Sequence, residues 1–125
     1  MYRELELRTS EGTVTIVPFK STGTTSVWFK KFTGKELIPS VNEAIGETHE
    51  SDDIYSRLAY VMHRQALAES VREMSELNED EYYEWLDQFE PLTFANNAGT
   101  IADIYICNAE TSSDAKKNPD QQTDQ

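Results

Sequence analysis

Cysteine is almost absent from this sequence. Cys107 stands alone among 125 residues, so no internal disulfide can form and no cysteine-based zinc cage can close within one chain. Long hydrophobic runs are missing too: nothing approaches the roughly 18–20 apolar residues that a membrane-crossing helix needs. Met1-Tyr2-Arg3-Glu4-Leu5-Glu6 lacks the basic-then-apolar layout of a signal peptide. The expectation is an intracellular protein with no membrane partner. Basic residues are scarce, with 11 Lys+Arg against 23 Asp+Glu, a net charge of -12 and a pI near 4.4. A protein holding a phosphate backbone by its overall charge would work against its own field, which sets nucleic acid aside as a partner. Glycines number 5 and are scattered, so there is no phosphate-cradling loop.

What is present suits one compact domain, since 38% hydrophobic and 10% aromatic residues are too apolar for a disordered chain. Residues 2 to 18 read as a β-hairpin. Leu5 and Leu7 alternate with charged neighbours, Val14 and Ile16 alternate with Thr13 and Thr15, and Ser10-Glu11-Gly12 supplies the turn. Pro18 closes the second strand or marks it as an edge. A short helix follows from about Thr25 to Thr33, with Trp28 and Phe32 on one face, Phe29 beside them and Gly34 at the left-handed stop. A second short helical piece is expected over 35–45. Ser51-Asp52-Asp53 then opens the longest helix, running to about Met74 on a stripe of Ile54, Leu58, Val61 and Met62, and it should be the spine of the core.

Asn78 and Glu81 have the spacing of a capping box, and Tyr82, Trp85, Leu86 and Phe89 mark one face of a short helix ended by Pro91. Residues Leu92 to Asn108 form a closing helix, with Phe94, Ala98, Ile101, Ala102 and Tyr105 on one face. Residues 109–125 carry no large apolar residue and read as a disordered polar tail, leaving residues 1–108 as a single globular unit. The fold class is α+β and mostly helical: an N-terminal hairpin packed on four or five helices.

No enzyme signature emerges. His49 and His63 have no metal-ligand spacing, and the carboxylates cluster on polar helix faces and near helix starts, where solvation and the helix dipole explain them. Cys107 reads as a small buried hydrophobe, and no cofactor is expected. Charge distribution is more informative: residues 1–35 carry a net +3, whereas residues 69–90 carry a net -8. Two readings stand side by side: a solvated acidic face, or a basic end meeting the acidic end of another copy or of a partner in a head-to-tail contact of the kind that closes a ring or runs as a filament. The candidate partner-binding residues are the aromatics Tyr82, Tyr83, Trp85 and Phe89 of the acidic stretch, with Trp28, Lys30 and Lys31 of the basic one. Buried core is the competing fate for Trp85 and Phe89.

Four stretches carry a resemblance to a known family. They are Val27-Trp28-Phe29-Lys30-Lys31-Phe32-Thr33-Gly34-Lys35-Glu36-Leu37-Ile38, Leu58-Ala59-Tyr60-Val61-Met62-His63-Arg64-Gln65-Ala66, Glu84-Trp85-Leu86-Asp87-Gln88-Phe89-Glu90-Pro91, and the stretch from Phe94 to Tyr105. In this order, over residues 1–108, they resemble the tail assembly chaperones of long-tailed bacteriophages (siphoviruses) of Gram-positive hosts. That resemblance implies a non-catalytic assembly factor that binds the tape measure protein and helps recruit major tail protein. It also implies action in the host cell cytoplasm, absence from the finished virion, and a frameshifted longer product joined through the C-terminal tail. A second class remains open: a small acidic inhibitor or DNA mimic acting on a host enzyme, with residues 69–90 as its charged face.

Overall fold

The computed structural model describes residues 1–37 and 51–107. Tyr2–Arg8 (β1) and Val14–Lys20 (β2) pair antiparallel, with Leu5 opposite Val17 and Arg8 opposite Val14. Gly12, at φ +87°, makes the tight return between them. Beyond the named strands, Met1 and Ser21 exchange both backbone hydrogen bonds, at 2.7 and 2.8 Å, and the Thr9 amide donates to the Thr13 carbonyl at 2.8 Å. Odd-numbered positions of β1 therefore form the hydrogen-bonded pairs. Glu4 and Pro18 face each other at a position where the ladder asks nothing of the missing proline N–H. That is why Pro18 lies inside β2, rather than ending it, on a strand that pairs along its length with β1 alone among the described residues.

The buried face of the hairpin carries Leu5, Leu7, Val17 and Phe19. Val14 and Ile16, expected on that face, lie 53% and 61% exposed. Two apolar registers overlap in Val14-Thr15-Ile16-Val17-Pro18-Phe19, and the one containing the aromatic ring wins because it buries more surface.

Six helices follow among the described residues, where four or five were expected. Thr25–Thr33 (α1) keeps its expected limits, and Gly34 at φ +79° ends it with its amide on the Lys30 carbonyl. Ser51–Leu67 (α2) packs against β2, α1 and three of the later helices, and it buries Ile54, Tyr55, Leu58, Ala59, Tyr60, Val61 and Met62. It is the spine of the core. It does not reach Met74: Ser70 turns extended (φ -155°, ψ 159°) and opens a separate turn, Val71–Met74 (α3), while the Glu73 carboxylate accepts from the Glu69 amide at 3.2 Å. Ser70-Val71-Arg72-Glu73 has the spacing of a helix start, but Ser70 makes no side-chain cap hydrogen bond; its extended backbone interrupts the apolar stripe there.

Glu79–Leu86 (α4) is capped by Asn78, whose side chain accepts from the Glu81 amide at 2.9 Å, as the spacing predicts. It stops before Pro91. Phe89 lies beyond it in a bridge with Thr9, where the Ser10 amide donates to the Gln88 carbonyl and the Glu90 amide to the Arg8 carbonyl. The closing helix is also two pieces, Thr93–Asn96 (α5) and Ala98–Ile106 (α6). Asn97 breaks it with ψ near 13°, and its side-chain amide donates to the Thr93 carbonyl at 2.8 Å. Cys107 caps α6 in the left-handed region and is exposed, not buried as expected, because it lies past the last turn of the helix. Two buried polar contacts close the loop after β2: Ser21 Oγ donates to the Ile104 carbonyl at 2.7 Å, and Thr25 Oγ1 donates to Gln65 Oε1 at 2.6 Å. The second short helix expected over 35–45 falls outside the described residues from position 38 on. His49 and the tail at 109–125 lie outside them altogether.

Candidate partner-binding site

Arg57 organises the junction of α2 and α4. It lies one turn after Asp53 and bonds both of that residue's carboxylate oxygens at 3.0 and 3.1 Å. Its other nitrogens form a bidentate pair with Glu79 in the first turn of α4, one contact at 3.0 Å. The guanidinium also lies 4.6 Å from the Tyr82 ring centroid and 5.4 Å from that of Phe32. The Glu79 hydrogen bonds raise the Arg57 pKa against the desolvation of its half-buried site, and Asp53 adds to the effect. In return Arg57 holds the Glu79 carboxyl below its ordinary range. This clamp fixes the start of α4 on the spine helix.

Behind the clamp runs a continuous aromatic cluster. Phe32 meets Tyr60 and Tyr82 at centroid distances of 5.5 Å, Tyr60 meets Trp85 at 5.4 Å, and Trp85 meets Phe89 and Phe94 at 5.1 Å. His63 stacks on Trp85 at 5.2 Å and 20°, with Nδ1 2.9 Å from the Pro18 carbonyl, which accepts its hydrogen. Burial lowers the His63 pKa, and the Pro18 carbonyl offsets only part of that. Tyr82 is fully buried, its hydroxyl 2.7 Å from Ser56 Oγ and 3.4 Å from Asp53 Oδ1; burial pushes its pKa up to about 12.

A groove of about 440 Å³ opens beside this cluster, between the start of α2, the end of α4 and α5. Its volume falls within the roughly 300–1,000 Å³ of binding clefts. Leu86, Phe89, Phe94 and Ala95 give it an apolar lining, the Tyr82–Ser56–Asp53 contact closes one end, and Asp87 and Glu90 stand at its side. Glu90 pairs with Arg8 at 3.3 Å. At that point the acidic and basic stretches are neighbours within one molecule rather than at opposite ends of it.

The residues singled out from sequence divide accordingly. Tyr82 and Phe89 are buried and line the groove, while Trp85 is core behind them. Tyr83 is 50% exposed on the outer side of α4 and donates to Glu79 at 2.9 Å. The α1 residues do not line the groove: Trp28 is buried beside Gln65 and Met74, Lys30 pairs with Glu36 at 2.6 Å in the open, and Lys31 is exposed. Sequence reasoning missed Asp53, Ser56 and Arg57 as part of this site. The signals were the Asp53/Arg57 spacing of four and a serine set in an otherwise apolar helix face.

Among the described residues no group of three or more His, Cys, Asp or Glu is placed to hold a metal, and no helix is long and apolar enough to cross a membrane. Compared with models of protein families, with curated proteins and with solved structures, the chain matches none.

Proposed function

We propose that this protein is a tail assembly chaperone of a long-tailed bacteriophage. In this reading it acts without catalysis in the host cytoplasm, binds the tape measure protein, helps recruit major tail protein and is absent from the virion. One observation carries the reading. The four stretches that resemble the family, scattered over the chain, supply Phe32, Tyr60 with His63, Trp85 with Phe89, and Phe94 to one aromatic cluster. Each stretch thus contributes to one core, which is what a fold shared with that family requires. A groove lined by apolar side chains and carboxylates together supports the same job, since it suits reversible capture of another chain.

The test is co-expression of the affinity-tagged chain with the tape measure protein encoded just downstream, followed by light scattering on whatever copurifies. A complex of fixed stoichiometry supports the proposal, and a chain purifying alone counts against it. The exposed carboxylates Asp80, Glu81, Glu84 and Asp87 along α4 favour a second reading, an acidic inhibitor that mimics DNA. Its mark is binding to a basic host protein that collapses between about 50 and 200 mM salt.

A further inference from the structure

We infer that the groove between α2, α4 and α5 seats a segment of the partner that carries an apolar side chain and, within one helical turn of it, a lysine or arginine. The identity of that partner, the tape measure protein, rests on the function proposed above; the chemistry comes from the groove. Leu86, Phe89 and Phe94 offer an apolar lining, which receives an aliphatic or aromatic side chain. Charge decides what stands beside that side chain. Asp53, Asp87 and Glu90 all line the groove, and among the described residues that line it there is no cation. Asp53 already serves Arg57 and Glu90 already serves Arg8, which leaves Asp87 as the exposed carboxylate best placed for an incoming cation. An acidic segment would be repelled by the Asp87 carboxylate, whereas a basic one pairs with it. A side chain one turn away on a helix lies about 5–6 Å from the apolar anchor, a separation that fits within a groove of this volume.

Asp87 also allows a clean test. It caps the C-terminal end of α4, where the helix dipole disfavours a carboxylate and favours a cation. Asp87→Lys should therefore leave the fold at least as stable as the parent while reversing the charge beside the groove. Glu69→Lys makes the same change in net charge next to a different cleft, the one beside Trp28 and Met74. The full chain and both variants are titrated against the tape measure protein, with melting curves recorded for each. The expected result is a loss of affinity of about tenfold or more for Asp87→Lys, against a change within about twofold for Glu69→Lys. Equal losses in the two variants, or none in Asp87→Lys, would overturn the inference and leave the proposed function standing. A parent chain that binds no tape measure protein overturns the proposed function and the inference together.

Discussion

Replacing Arg57 by methionine removes the clamp while keeping most of the apolar stem in place. The Arg57 side chain is only 16% exposed, but its carboxylate partners are 45% and 59% exposed, so their charges are not stranded in a dry interior when it goes. The bidentate Glu79 pair contributes about 1 kcal/mol, the Asp53 pair about 0.5, and the contacts with Phe32 and Tyr82 about 0.5 between them. The expected loss is about 2 kcal/mol, which lowers the melting temperature by about 10 °C in a domain of this size. Thermal and urea melts of Arg57→Met, Glu79→Gln and the double variant give the coupling directly, expected at about 1 kcal/mol in low salt and reduced in about 0.5 M salt. Because Arg57 depresses the Glu79 pKa, the pair's contribution is present above pH 4.5 and fades as the pH falls through the folded-state value. A loss below about 0.5 kcal/mol, or no coupling to Glu79, would refute the view that Arg57 fastens α4 to the spine.

Three other outcomes follow from the same cluster. Trp85→Ala should cost about 3–5 kcal/mol and unfold the domain or nearly so, which circular dichroism would show; a variant as stable as the parent would remove Trp85 from the core. Tyr60→Phe deletes a buried hydroxyl that has no hydrogen-bond partner among the described residues, and chemical denaturation should find it neutral or stabilised by about 1 kcal/mol. His63 is held neutral by burial with a lowered pKa, so the unfolded chain binds the extra proton first. Stability should decline as the pH drops below 6.5 toward the folded-state value, and melts of His63→Phe across that range should lack this step.

Much of this architecture was readable from short-range chemistry. Gly34, Asn78 and the alternation of Leu5 and Leu7 each act through their own neighbours, and each element appears where those signals put it. The errors lie where two local signals compete. Ser70 and Asn97 each interrupt an apolar stripe that continues past them: Ser70 turns extended, and Asn97 takes ψ near 13° with its side-chain amide on the Thr93 carbonyl. The second strand carries two apolar registers, one with Ile16 and one with Phe19, and which of them is buried depends on what the spine helix offers to pack on. The groove was legible only in part. Tyr82 and Phe89 stand out as aromatics in an acidic stretch, but the contribution of Asp53 and Ser56 comes from a helix more than 20 residues earlier. Trp28, Lys30 and Lys31 illustrate the converse: composition alone joined them to the acidic aromatics, and the fold keeps them out of the groove.

Capture of the tape measure protein is the function proposed for this chain. Its most direct test is the soluble fraction of that protein, expressed alone and together with the chain. On co-expression the tape measure protein should move from the pellet to the supernatant and elute with the chain as one species. A tape measure protein that stays in the pellet beside a folded, soluble chain would contradict it.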